Sequence, residues 1–240
     1  MVFSKYIVRM GVNGINDEIS AAMDGVIITR PPASEVDRLN YCLHGETSMW
    51  RRKGEACKPQ LSGEDPYADQ IPLARAIPLW GAISAKGYSD ILHHKKKKVS
   101  TDEWVKSISK GSMTKALQHL RSSKARRPLR ILCDNERFLS ARLCNVEYKK
   151  RGIELLQIPP RSPDLNPIEM LWSWVRTQLR HRDLADLRKG RPPLGKTAYK
   201  TRVKTLLKSK GAQKVGAACF KSLRKKCQQV IRNKGAAIRY

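Results

Sequence analysis

Apolar residues in this chain come in short blocks, and their spacing separates strands from helices. The first clear block is Ile19-Ser20-Ala21-Ala22-Met23, followed by Asp24-Gly25 and the β-branched run Val26-Ile27-Ile28-Thr29. Asp-Gly is a hairpin-turn dipeptide and β-branched residues suit a pleated surface, so the spacing predicts a hairpin turning at Asp24-Gly25. Residues 30–75 are rich in Pro, Gly and charge and read as a long irregular insertion around one or two short strands. Ala76–Ser84 and Tyr88–His94, separated by a turn at Gly87, predict two further strands. Ser100-Thr101-Asp102-Glu103 is a capping box opening a helix over about residues 101–120, with Trp104, Ile108, Leu117 and Leu120 apolar and Gly111 as a break.

The second half repeats the alternation. Leu129–Cys133 reads as a buried strand closed by Asp134-Asn135, residues 136–150 as an amphipathic helix, and Ile153–Ile158 as a strand. Pro159, Pro160 and Pro163 then force extended, turn-rich chain, because each fixes φ and removes a donor. Asn166-Pro167 opens a helix, Asn as the N-cap and Pro as the first helical residue, with Glu169 in its first turn. Three strands, then helix, strand, helix, strand and helix, is the order of a ribonuclease-H-like α/β fold, a mixed sheet flanked by helices. Residues 1–183 are expected to form that domain and residues 184–240 a basic helical extension of two or three short helices.

Charge adds a partner to this picture. Across 240 residues there are 48 Lys and Arg against 21 Asp and Glu, a formal net charge of +27. A chain this basic is expected to meet a polyanion, with nucleic acid ahead of an anionic membrane surface. No stretch reaches the length of a membrane-spanning helix. Residues 176–240 carry 20 of the Lys and Arg and only two acids, Asp183 and Asp186, and Arg224-Lys225-Lys226 forms one cluster. Either a solvated helical face or a DNA-holding or nuclear-targeting extension would explain that bias. Its few aromatic residues do not suggest stacking on single strands. Six cysteines without a Cys-x-x-Cys pair, and none at finger-like spacing to His, predict reduced thiols rather than a zinc site. His93-His94 are adjacent strand residues facing opposite sides and are not expected to share a metal.

Two acids stand out, Asp134 at a strand end and Glu169 in the first turn of a helix. Each has a plain structural reading: Asp134-Asn135 as a strand-ending turn, and Asn166-x-x-Glu169 as a capping box. The whole segment decides between them, since PPRSPDLNPIEMLWSWVR closely resembles the signature of the Tc/mariner superfamily of DDE transposases, including related bacterial insertion-sequence enzymes. In that family a strand ending in Asp-Asn carries the second catalytic acid and Pro-Asp-Leu-Asn-Pro-Ile-Glu the third. Asp134 and Glu169 match, with 34 residues between them. The resemblance reaches over most of residues 10–185, with Trp80-Gly81 and GETSMWRRKGEACKP also family-like.

The resemblance implies a triad of Asp17, Asp134 and Glu169 holding Mg²⁺ or Mn²⁺, two ions in all. Asp17 is favoured as the first acid because INDEISAAMDG follows the family order, although Gly and Asn residues before it make poor strand material and Asp24 remains a rival. Three carboxylates suit hard divalent ions, and two such ions about 3.5–4 Å apart clamp an in-line displacement. Water would be the nucleophile for strand cleavage and the freed 3′-hydroxyl for joining to target DNA. The implied partner is double-stranded DNA, both transposon ends and target, and a homodimer is compatible with the pattern. Arg51, Arg52, Lys53, Arg161, Arg176 and Arg180 are the expected DNA contacts, a solvated edge being equally open for the first three. Asn135, Arg161 and Asn166 are expected to support the acids. The expected location is the nucleus, or the cytoplasm for a bacterial source. Helix-turn-helix units that precede the catalytic domain in the family are not recognisable at the start of this sequence. A domesticated DNA-binding protein with lapsed activity is therefore the alternative. A basic RNA-binding structural protein would explain the charge but not PDLNPIE, and a nuclease of RNA–DNA hybrids would share the site logic but not the motif.

Overall fold

The computed structural model describes residues 19–44, 72–120, 128–159 and 162–233. Five strands, β1 (Ile19–Thr29), β2 (Ala76–Ser84), β3 (Gly87–His93), β4 (Leu129–Cys133) and β5 (Ile153–Gln157), make one sheet in the order β3-β2-β1-β4-β5. The pairs β1–β2 and β2–β3 are antiparallel, whereas β1–β4 and β4–β5 are parallel. Seven helices accompany them among the described residues: α1 (Glu35–His44), α2 (Thr101–Ser109), α3 (Ser112–Leu120), α4 (Arg142–Arg151), α5 (Ile168–Arg188), α6 (Lys196–Leu207) and α7 (Lys210–Arg232).

Alternation along the central strands divides the core in two, because successive side chains leave a strand on opposite faces. On one face Ala22, Ile28, Leu79 and Leu132 pack with Trp172, Tyr199 and Phe220 of α5, α6 and α7. On the other, Met23, Trp80 and Ile131 pack with Trp104, Leu117 and Tyr148 of α2, α3 and α4. Both sheet faces are thus covered, as the element order predicted. The second face is fixed by an aromatic trio: Trp104 lies 4.9 Å and Phe138 5.4 Å from Trp80, ring centre to ring centre, both edge-on. Trp104 Nε1 donates to Tyr148 Oη at 2.6 Å, satisfying the indole in a dry core.

Local expectations hold at the capping box, where Ser100 Oγ accepts the Glu103 N–H at 3.2 Å, and at Gly111, whose φ of +84° separates α2 from α3. Three expectations do not. Asp24-Gly25 is no turn: β1 runs unbroken through it, and Gly25 is paired with Trp80 of β2. A Cβ on Gly25 would stand 2.6 Å from the Trp80 ring, so this glycine serves a close approach rather than a bend. The segment read as irregular contains α1, whose first turn is capped by Ser34 Oγ accepting the Asp37 N–H at 3.4 Å. The junction set at residues 183 and 184 falls inside α5, and Tyr199, Leu206, Phe220 and Leu223 of the basic tail lie in the same core cluster as β1.

That tail is also bolted on by polar contacts. Asp183 of α5 accepts from Tyr199 Oη at 2.7 Å and Arg202 Nη1 at 2.7 Å, and Arg202 Nη2 reaches Asp186 at 2.5 Å. Arg30 and Arg38 donate to the carbonyls of Leu194 and Arg191, tying β1 and α1 to the α5–α6 connection. The free cysteines Cys42, Cys133, Cys144, Cys219 and Cys227 are all buried, and no helix among the described residues is long and apolar enough to cross a membrane.

Candidate active site

Parallel pairing sets the site. Ala22 of β1 stands beside Leu132 of β4, and two residues further along each strand come Asp24 and Asp134. Two residues is one full pleat, so both carboxyls share the face of Ala22 and Leu132, on strands about 4.8 Å apart. That face is the one covered by α5. The start of α5 lies beside it because Ile168, Leu171 and Trp172 are wholly buried there, and this brings Glu169 of the first turn towards the two aspartates.

Electrostatics report the convergence. Asp24 is only 4% exposed. Burial, the charge of Glu169, the charge of Asp134 and a carboxyl–carboxyl hydrogen bond with Glu169 push its pKa well above the usual carboxylate range, opposed by the Gly25 N–H that donates to it at 2.8 Å. Asp134 is raised by burial and by Glu169, with the Asn166 amide pulling the other way. Like charges crowded into a low-dielectric site hold a proton or need a cation. Among the described residues no three His, Cys, Asp or Glu side chains already stand at metal-ligand spacing, so the acids face one another without being drawn into a closed set.

The donor chemistry fits hard divalent cations. All three groups are carboxylates, and the neighbouring Cys133 thiol lies in the core of the opposite face, where burial raises its pKa and keeps it protonated. Asn166 is completely buried, and neither its amide nitrogen nor its amide oxygen has a hydrogen-bond partner. Its amide lies beside Asp134, where it lowers the pKa of that carboxyl. The capping reading of Asn166 and Glu169 is corrected accordingly: only the Asn166 backbone carbonyl accepts the Glu169 N–H, at 3.2 Å, and the two side chains turn towards the aspartates.

The other expected site residues scatter. Asp17, Arg51, Arg52, Lys53 and Arg161 lie outside the described residues. Arg176 is exposed on α5, while Arg180 is half-buried, donates to Thr177 Oγ1 at 3.4 Å and lies close to Cys42 of α1. Trp172 packs edge-on against Tyr88 at 5.7 Å and holds α5 in the core.

Two contributors escaped the sequence reading. Burial and the charge of Asp134 raise the pKa of Glu136, and the charge of Lys98 lowers it. Lys226, read as part of an exposed basic cluster, is 8% exposed and its Nζ donates to the Asp164 carbonyl at 3.0 Å. It thereby grips the loop that leads into Glu169. The sequence holds no signal for this, since a lysine between Lys225 and Cys227 looks like any other tail cation.

The family model described as DDE superfamily endonuclease matches residues 46–189, more than half of the chain. The transposable element Tc3 transposase of Caenorhabditis elegans is 33% identical over 96 residues, which are 40% of this chain and 27% of that protein. The chain therefore spans about a quarter of the length of that curated relative. Among solved structures, the Mos1 transposase paired-end complex with the left transposon end is similar with a TM-score of 0.62 at 14% identity, over 98% of this chain and 61% of that one. The Mos1 transposase catalytic domain with raltegravir and Mn has a TM-score of 0.57 at 14% identity, over 99% and 91%. At that identity the likeness speaks for the fold, which is the ribonuclease-H-like one. With the matched family model covering most of the chain and the recognisable relatives being Tc/mariner transposases, the chain belongs to the DDE superfamily of endonucleases.

Proposed function

We propose that this chain is the catalytic part of a Tc/mariner-type transposase that cuts and joins DNA with Asp24, Asp134 and Glu169. The observation that carries the reading is the meeting of these three carboxyls on one sheet face, from two neighbouring parallel strands and the first turn of a buried helix. Asp24 takes the place of Asp17 in this proposal, because Asp24 is the acid that Asp134 and Glu169 press upon.

Two divalent ions, Mg²⁺ or Mn²⁺, would supply activation of the attacking oxygen and neutralisation of the leaving one when bound. Asp24 and Asp134 are placed to present oxygens from the rigid sheet, and Glu169 to close the set from α5. The burial of Asp24 keeps bulk water from competing for its oxygens. In cleavage, the oxygen of water forms a bond to phosphorus as the P–O3′ bond breaks. The water loses a proton and the departing 3′-oxygen gains one. In joining, that 3′-hydroxyl attacks a phosphorus of the target and breaks its P–O3′ bond in turn. Asn166 would hold the orientation of Asp134 through both steps. The partners are duplex transposon ends and duplex target.

Nicking of supercoiled plasmid in Mg²⁺ or Mn²⁺ tests this. Wild type should nick only with the divalent ion, and Asp134→Asn and Glu169→Gln should each fall to background while keeping the wild-type melting profile. Binding without any metal-dependent nicking would favour a DNA-binding protein with lapsed chemistry.

A further inference from the structure

A band of lysines runs from the β3–α2 connection onto α6. At its near end is a cleft of about 530 Å³ lined by Gly25, Trp80, His94, Lys97, Lys98 and Glu136 among others. It opens on the Trp80 face of the sheet, and its Glu136 feels the charge of Asp134. The connection from β3 to α2 then carries Lys95, Lys96, Lys97 and Lys98 in succession. Beyond it, α6 presents Lys196, Lys200, Lys204 and Lys208 at four-residue spacing, a row on one side of the helix with steps of about 6 Å. The two segments face each other: Lys200 feels the charges of Lys204, Lys196 and Lys95, and His94 feels that of Lys200. Lys196 Nζ is anchored on the Leu73 carbonyl at 2.6 Å, so this end of the row is held in place.

Same-sign charges pressed together in a folded protein are destabilising unless a polyanion meets them. Among the described residues, Asp90 acts on this band near Lys204, Glu103 near His94 and Glu136 near Lys98. None of the row is aromatic, so it suits sugar–phosphate backbone rather than bases.

We propose that Lys95, Lys97, Lys98, Lys200 and Lys204 form a single phosphate track that seats the backbone of duplex DNA and leads it from α6 into the carboxylate site. The track rests on the DNA-processing reading above for its partner. Its contribution is sequence-independent and positions the duplex.

The test is the salt dependence of binding, by fluorescence anisotropy, to a random-sequence 30-base-pair duplex, with 30 base pairs serving as roughly three helical turns. Neutralising two backbone contacts lowers the slope of log K against log salt by about 2. Lys200→Gln/Lys204→Gln should show that drop, and Lys200→Arg/Lys204→Arg should restore the wild-type slope. Lys214→Gln/Lys225→Gln removes the same charge from exposed positions of α7 and should leave the slope near wild type. Equal drops for the α6 and α7 pairs would overturn the track, as would an unchanged slope for the α6 pair in a normally melting protein. If wild type nicks plasmid yet the two pairs behave alike, the track fails and the enzymatic reading stands. If the α6 pair alone lowers the slope and no nicking is ever seen, the track stands and the enzymatic reading fails.

Discussion

Asp24 in the middle of β1 and Glu169 in the first turn of α5 share a carboxyl–carboxyl hydrogen bond, with Asp134 close enough to add its charge to Asp24. Two acids can hydrogen-bond to each other only if one keeps a proton, and Asp24, the more deeply buried by far, is the one pushed well upward. This gives the metal-free protein a signature. Folded Asp24 binds its proton more tightly than unfolded Asp24, so its contribution to stability is fully present below about pH 3.9 and is lost as pH rises through the folded value. Asp24→Asn should therefore melt higher than wild type without metal at about pH 8, and the gap should narrow towards about pH 4. Calorimetric melting of the two proteins across that range checks it. Added Mg²⁺ should raise the wild-type melting temperature at the alkaline end and leave Asp24→Asn nearly unmoved.

Gly25 tests the packing that aims Asp24. A methyl group there would meet Trp80 at 2.6 Å, and Trp80 cannot swing away because Trp104 and Phe138 hold it edge-on. Overpacking of this kind costs about 1–3 kcal/mol. Gly25→Ala should lower the urea midpoint by a corresponding amount at unchanged slope. Gly25→Ala combined with Trp80→Leu should recover most of it.

Lys226 tests the grip on the loop before Glu169. Burial lowers the pKa of its ammonium, so removing the charge relieves a desolvation cost while losing the bond to the Asp164 carbonyl. The two effects oppose each other, and Lys226→Met should change stability by no more than about 1 kcal/mol. Metal-dependent nicking should nevertheless fall clearly below wild type, because α5 then starts from an untethered loop. A variant that loses stability and activity in proportion would argue for a purely structural lysine.

Much of this architecture was legible in the sequence where a local rule is also the global one. The Ser100 capping box, the break at Gly111 and the buried strand Leu129–Cys133 follow from short-range chemistry that tertiary contacts do not contradict. Asp24-Gly25 misled for a definite reason: the dipeptide satisfies a turn rule, but Gly25 exists for the sake of Trp80, a residue far along the chain. The same reading placed Asp24 behind Asp17 as the first acid, since an acid in a turn looks explained, whereas an acid buried in a central strand does not. The basic tail misled similarly. Its charge is visible in composition, but Asp183 with Tyr199 and Arg202, and Lys226 with Asp164, are pairings that only the packed helices create.

The central claim is that Asp24 completes the carboxylate set with Asp134 and Glu169. Its most direct test is a titration of bound Mn²⁺ by electron paramagnetic resonance, comparing wild type with Asp24→Asn and Asp17→Asn. The account predicts that Asp17→Asn binds Mn²⁺ like wild type and that Asp24→Asn loses that binding while remaining folded. Unchanged binding in Asp24→Asn, with loss in Asp17→Asn, would contradict it and return the first acid to Asp17.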